Sequence, residues 1–211
     1  MGLSIKTCYT VKIQKQLDAT QDKTTEKLNI ARKRAVDSRL MRQTSLICLE
    51  ALKFCVSVIS EEWDTIMGVE SKLRKRLIDT LVHRTKTAAP KYPEFDLKFP
   101  KMPGYTRRAI IADAFGMVKS YRSNHKNWKE TPPMERGAEP TLGIPSRYEL
   151  TFYDQERKMS CLADSQIGLK LYNGKTWNWY YFQIRPSDAK QISRLSKTRK
   201  MLSPIVDKVR G

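Results

Sequence analysis

The sequence predicts an α+β fold in which an antiparallel sheet is interrupted by a helical bundle. Apolar residues alternate with a period of two near both ends of the chain and recur at helical spacing between them. Prolines and glycines cluster between residues 127 and 145, where helical sequence gives way to strand-like sequence. The predicted boundaries are a first strand in 1–16, a helical lobe in 17–130, a linker in 131–146 and the remaining strands in 147–211.

The first strand is predicted over residues 3–13, where Leu3 to Ile13 alternate with polar residues. Helical spacing begins after residue 20. A second helix over 45–62 is apolar on nearly all sides, which is typical of the middle of a bundle, so we expect Cys48 and Cys55 to be core residues. The four cysteines form no C-x-x-C pair, so the sequence indicates neither a zinc ribbon nor a disulfide framework.

Two further helices are predicted before the linker. Residues 70–86 form an amphipathic helix whose polar side is basic. Four prolines between residues 90 and 103 exclude regular helix from about 88 to 104. Helical spacing then resumes over 105–128.

The region after the linker is predicted to be sheet, with strands over 148–153, 158–162, 167–172 and 176–184. Asn173-Gly174 between the last two strands predicts a hairpin, and a two-residue loop there pairs Tyr172 with Lys175 and Lys170 with Trp177. One face then carries the apolar residues Ile167, Leu169, Leu171, Tyr180, Phe182 and Ile184. The other carries Lys170, Lys175, Trp177, Trp179 and Tyr181, which either stack on bases or pack against the helical lobe.

The chain is strongly basic, with 40 Lys and Arg against 22 Asp and Glu and a formal net charge of +18. The excess is concentrated in residues 70–91, 101–129 and 185–211, which favours phosphate binding over the alternative of a solvated basic surface. The candidate nucleic-acid contacts lie on the third and fourth helices and on the hairpin: Lys72, Arg74, Lys75, Arg76, Arg107, Arg108, Lys119, Tyr121, Arg122, Lys126, Trp128, Lys170, Lys175, Trp177 and Trp179.

No arrangement of residues in the sequence is typical of catalysis. His83 and His125 are the only histidines, and neither is spaced with another His or Cys as a metal ligand. The acids Asp79 and Asp113 lie beside basic residues of predicted helices, and the glycines form no phosphate-binding loop. We therefore expect no enzyme activity, metal or cofactor. No signal peptide or apolar run of membrane-spanning length is evident, so a cytoplasmic protein without a membrane partner is expected.

Several segments resemble the beginning of TnpB, the transposon-encoded RNA-guided nuclease family related to type V CRISPR effectors. They are Tyr9-Thr10-Val11-Lys12-Ile13, Phe99-Pro100-Lys101-Met102-Pro103, Arg107-Arg108-Ala109-Ile110, Val118-Lys119-Ser120-Tyr121-Arg122-Ser123, and the hairpin around Asn173-Gly174 with Trp179. The resemblance implies a small wedge-type β-barrel whose first strand is separated from the others by a helical recognition lobe. It also implies structured guide-type RNA, DNA or both as partners, in a prokaryotic cell and at the nucleoid when bound.

The RuvC-like domain and the zinc ribbon of that family have no counterpart in this sequence, so the resemblance implies a truncated, binding half without nuclease activity. Two alternatives remain open: a split nuclease completed by a separate RuvC-type chain, and an unrelated basic RNA-binding or scaffold protein. A truncated barrel would leave an open sheet edge near residues 195–211, through which the chain could self-associate.

Overall fold

The computed structural model describes residue 11 and residues 15–17, 38–86, 88–152, 157–158, 160–198 and 205–206. The predicted helix after residue 20, the turn at 154–156 and nearly all of the predicted first strand lie outside these residues. The chain divides into two compact units. One contains most of the sheet, and the other contains most of the helices.

Among the residues that the structure describes, the helical unit contains five α-helices. They are α1 (Ser38–Glu61), α2 (Trp63–Met67), α3 (Arg74–Val82), α4 (Glu94–Lys98) and α5 (Gly104–Glu130). In its core α3 packs against α5, where Ile78, Val82, Ile110 and Ile111 are buried. The unit also contains β2 (Leu150–Thr151), paired antiparallel with β6 (Ile205–Val206).

The predictions of α1 and α5 are confirmed as elements, and the start of α1 is corrected. Within the described residues α1 extends back to Ser38 instead of residue 45, and Leu40 and Thr44 continue its buried side towards the N-terminus. Cys48 and Cys55 are fully buried, as expected. Burial, with a smaller contribution from Asp79, raises the pKa of the Cys55 thiol to about 12.

α1 also corrects the expectation about apolar runs. Residues 39–61 form a helix long enough to cross a membrane, and an 18-residue window within it is apolar enough, with a mean hydropathy of 1.4. In the structure 56% of that window is buried inside the protein. The core helix of a bundle passes the same test, so the helix is weak evidence for a membrane span.

The prediction that four prolines exclude regular helix from about 88 to 104 is wrong for Glu94–Lys98, which form α4. α4 is a single turn that follows Pro93, a position where proline is tolerated because it precedes the hydrogen-bonded part of the helix. Phe95 of α4 is buried, and its ring lies 5.6 Å from that of Phe54 and 4.9 Å from that of Phe99. This aromatic cluster stabilises the short turn between the prolines.

A buried acid joins the end of α1 to the segment before α4. Glu62 is 8% exposed, and its carboxylate accepts hydrogen bonds from Lys91 Nζ and, at 2.7 Å, from Tyr92 Oη. The hydrogen bond from Lys91, and then that from Tyr92, holds the pKa of Glu62 below its ordinary value. Burial and the same carboxylate raise the pKa of Tyr92.

The other unit contains a four-stranded antiparallel sheet in the order β1-β5-β4-β3. Its strands are β1 (Lys15–Leu17), β3 (Arg157–Lys158), β4 (Gln166–Tyr172) and β5 (Trp177–Gln183). β1 pairs with β5, with Lys15 opposite Gln183. A strand that precedes the helices is thus paired with one that follows them, as the α+β prediction required.

The hairpin of β4 and β5 forms where it was predicted, but its register differs by two residues. The backbone N–H of Asn173 donates to the Thr176 carbonyl at 3.1 Å, so Gly174-Lys175 is the loop and Tyr172 lies opposite Trp177. Gly174 has a φ of +95°, which favours glycine at the first loop position. Because the shift is even, each side chain keeps its predicted face, and Leu169, Leu171, Phe182 and Ile184 are buried.

The prediction that the chain is sheet throughout 147–211 is wrong for two segments. Most of the strand predicted over 158–162 is instead part of a 3-10 turn, Ser160–Asp164. Residues Pro186–Thr198 form α6, which packs against the 3-10 turn at Ser160–Asp164. Pro186 occupies the first helical position and Asp188 the first turn, where each favours a helix.

Candidate nucleic-acid interface

One face of α5 carries a row of cations, which we call the basic stripe: Arg108, Lys119, Arg122 and Lys126. At about 100° per residue these positions lie within an arc of roughly 60°, and they span about 27 Å of the helix. All are exposed. The only carboxylate between residues 104 and 129 is Asp113, which accepts a hydrogen bond from Tyr148 Oη at 2.8 Å. The stripe therefore presents concentrated positive charge along one helix face.

Arg122 and Lys126 differ in how freely their charges can reach a partner. The Arg122 guanidinium lies 5.0 Å from the centre of the Trp63 ring and donates to the Ser60 carbonyl at 3.0 Å. Lys126 is 74% exposed and lies 3.7 Å from Glu130, a distance at which a surface pair contributes little. The Arg122 side chain is thus held against α1 and Trp63, whereas Lys126 can leave Glu130 at a small cost in free energy.

Arg107 does not belong to this surface, although it was predicted to bind nucleic acid. Its side chain is 9% exposed, and its Nε donates to Asp79 Oδ1 of α3 at 2.7 Å. The next residue, Arg108, is exposed and lies over the Tyr105 ring at 5.1 Å. One residue along a helix changes direction by about 100°, so adjacent arginines take different roles.

The candidates around α3 are also divided. Arg74 donates to the backbone carbonyls of Val69 and Met67 at 3.1 and 3.3 Å, so it holds the turn between α2 and α3. Lys72 is exposed and pairs with Glu70 at 3.0 Å. Lys75 and Arg76 are exposed on the helix itself.

A row of rings runs along the last turns of α5. The ring centroids of Tyr121 and His125 are 5.5 Å apart, and those of His125 and Trp128 are 6.0 Å apart, in both cases nearly parallel. Residues spaced by three or four are neighbours on a helix, which explains the row. Tyr121 and Trp128 were predicted to stack on bases, but a later part of the chain lies against His125 and Trp128 of this row.

Residues 131–147, which we call the strap, follow α5 and run back along it. Trp128 Nε1 donates to the Gly137 carbonyl at 2.9 Å, and His125 Nε2 lies 3.0 Å from Glu139 Oε1. Arg136 lies over the Trp128 ring at 5.0 Å. Trp128 is therefore an anchor for the strap, since its N–H and one of its faces are already engaged.

Further along, the strap stands away from α5 and leaves a groove of about 560 Å³. The helix side of the groove includes Asp113, Gly116, Ser120, Tyr121 and Asn124, and the strap side includes residues 141–143. The sequence predictions missed all of these except Tyr121. The only signal was the small residues at helical spacing, Ala112, Gly116 and Ser120, which a buried helix face would show equally well.

The hairpin residues lie in different surroundings. Lys175 is exposed in the loop, and Lys170 and Trp179 are half-buried. Trp177 is 7% exposed, so the prediction that it stacks on bases does not fit its place in the structure. The hairpin tip is held by Thr44 of α1, whose hydroxyl accepts from the Tyr172 N–H at 2.9 Å.

Among the residues that the structure describes, no group of three His, Cys, Asp or Glu could hold a metal ion. Asp79 is occupied by Arg107, and Asp113 by Tyr148.

The model of the Aq_aa04 family matches residues 24–173 of the sequence. The match includes the basic stripe, the row of rings, the strap and both sides of the groove. No curated protein and no solved structure matches the sequence.

Proposed function

This chain belongs to the Aq_aa04 family, and we propose that it binds nucleic acid, RNA or DNA, through the basic stripe of α5 without cleaving it. The observation that carries the proposal is the exposure of Arg108, Lys119 and Lys126 on one helix face. Each phosphate that such a side chain neutralises releases a condensed counterion, so affinity comes from charge and depends on salt.

The charge of the whole chain supports the same proposal. A net charge of +18 on 211 residues raises the free energy of the folded state through self-repulsion, and a polyanion bound to the stripe relieves it. Lys75 and Arg76, exposed on the neighbouring helix α3, add to the attraction over longer distances.

We also propose a more specific identity, as the binding half of a TnpB-like nuclease that works in the cytoplasm with a structured RNA. The pairing of β1 with β5 supports it, because that family places a first strand ahead of its helical lobe and closes a wedge-type barrel after it. Cleavage of phosphodiesters by such nucleases needs carboxylates clustered around metal ions. Asp79 and Asp113 are each bound within the helical unit instead.

The test is a binding titration of the purified chain with a structured RNA and with duplex DNA across a salt series, in the presence of Mg²⁺. A stripe variant carries Arg108→Gln, Lys119→Gln and Lys126→Gln. A control variant removes the same charge at exposed positions outside the stripe and outside the three basic segments of the sequence: Arg42→Gln, Lys53→Gln and Lys98→Gln.

The stripe variant is expected to lose about two to three units from the slope of log affinity against log salt, at about 0.7–0.9 per phosphate contact. The control variant is expected to lose less than about one unit. Equal losses in the two variants would contradict the stripe as the binding face. Metal-dependent shortening of the nucleic acid on a denaturing gel would contradict binding without cleavage.

A further inference from the structure

The groove between α5 and the strap has unfilled space beside the two glycines that line it. A Cβ added at Gly116 would meet no atom within 4 Å, and the same holds at Gly143 on the strap side. The volume of about 560 Å³ lies within the range of small-ligand sites, roughly 300–1,000 Å³. The groove can therefore accept a flat group of the size of a nucleoside.

Contacts at both ends hold the groove open. At one end His125 and Trp128 contact Glu139 and Gly137 of the strap. At the other end Tyr148, which is buried, donates its hydroxyl proton to Asp113 at 2.8 Å, and Ser45 donates to the Tyr148 carbonyl at 2.7 Å. The strap is thus fixed to the helix on either side of the space, so the walls exist before any ligand binds.

The side chains around the groove suit a base better than a phosphate. Its lining contains no lysine or arginine. Tyr121 contributes an aromatic ring, and Ser120 and Asn124 contribute groups that can donate or accept hydrogen bonds. Asp113 uses Oδ2 for Tyr148, and its Oδ1 has no hydrogen bond among the described residues. A carboxylate oxygen accepts from an exocyclic amino group, as in contacts to cytosine N4.

Cations adjoin the groove on the side of the basic stripe. Arg108 lies four residues before Ala112, and Lys119 lies three residues after Gly116, so both are surface neighbours of the groove. A strand whose base enters the groove would place its phosphates near these side chains. Bases in a duplex are stacked and paired, whereas bases of a single strand can turn out of the stack.

We infer that the groove between α5 and the strap binds an unstacked base with an exocyclic amino group, presented by a single-stranded nucleic acid whose phosphates contact Arg108 and Lys119. This inference rests on the proposed function and adds to it the class of ligand. Asp113 accepts from the amino group, and Tyr121 offers its ring to the base.

The experiment compares two RNA oligonucleotides of about twelve nucleotides, oligo(C) and oligo(U), which carry the same charge. The bases differ at position 4, an amino group in cytosine and an oxygen in uracil, and at N3, which accepts in cytosine and donates in uracil. The variant Gly116→Leu fills the groove, and because leucine favours a helix more than glycine does, folding is not at risk. Ser57→Leu is the matched control, since Ser57 is exposed on α1 and does not line the groove. Asp113→Asn removes the carboxylate.

The unmodified chain is expected to bind oligo(C) about five- to tenfold more tightly than oligo(U). Gly116→Leu and Asp113→Asn should abolish this preference and leave the salt slope unchanged, whereas Ser57→Leu should keep both. Two results would contradict base binding in the groove without affecting the proposed role of the basic stripe. One is strongly salt-dependent binding with equal affinity for the two oligonucleotides, and the other is a preference for oligo(C) that survives Gly116→Leu. Failure of the unmodified chain to bind any RNA or DNA would overturn the proposed function, and the groove with it.

Discussion

At the scale of single residues, two adjacent arginines have different predicted roles: Arg107 stabilises the fold and Arg108 binds nucleic acid. Arg107→Met leaves the Asp79 carboxylate unpaired beside the core, and this should lower the free energy of unfolding by roughly 2–4 kcal/mol. Arg108→Met removes only an exposed charge over the Tyr105 ring and should cost less than about 1 kcal/mol. Urea unfolding measures both values, and each variant is the control for the other.

Nucleic-acid affinity should show the reverse order. Arg108→Met should weaken binding and reduce its salt dependence, whereas folded Arg107→Met should bind as the unmodified chain does. If the Arg107→Met variant is as stable as the unmodified chain but binds nucleic acid more weakly, the assignment of Arg107 to the ion pair with Asp79 and not to binding is wrong.

Glu62 predicts a loss of stability in acid. Lys91 and Tyr92 hold its pKa below 4.5 in the folded protein, so in acid the Glu62 carboxylate binds fewer protons in the folded state than in the unfolded state. The resulting stabilisation is present above pH 4.5 and is lost as the pH falls through the folded pKa. Glu62→Gln should therefore lower stability near neutral pH and flatten its decline in acid, as measured by urea unfolding between about pH 6 and 3. An unchanged acid dependence would contradict this.

At the scale of elements, the strap should detach when its contacts with α5 are weakened. Residues 132–139 of the strap are exposed, with Met134 at 99%, so few apolar contacts hold this part in place. Glu139→Gln removes the charge that faces His125 at 3.0 Å, and it should raise the rate of tryptic cleavage after Arg136 several-fold. The matched control is Glu135→Gln, an exposed glutamate of the same strap. Equal cleavage rates for the two variants would show that the contact with His125 does not hold the strap.

The same elements show what the sequence could predict. α5 was predicted within two residues because apolar positions at helical spacing run unbroken between prolines and a polar linker. α6 was missed although Ala189, Ile192 and Leu195 recur every three residues, since the strands before it favoured sheet for the whole region. The groove could not be predicted, because a helix pattern does not show which of its faces a distant polar segment will follow.

At the scale of the whole molecule, the charges of the basic stripe should lower the stability of the folded protein. The cations of the basic stripe repel one another and the remaining net charge of +18, and no carboxylate on that face except Glu130 offsets them. Neutralising Arg108, Lys119 and Lys126 together should therefore raise the thermal midpoint at low salt by a few degrees, and the gain should disappear near about 0.5 M salt, where charges are screened within a few ångströms. Thermal unfolding at the two salt concentrations measures this. If the variant is instead less stable at low salt, the three cations stabilise the fold. That result would contradict their role in binding a polyanion, because binding residues are often ones whose removal raises the stability of the folded protein.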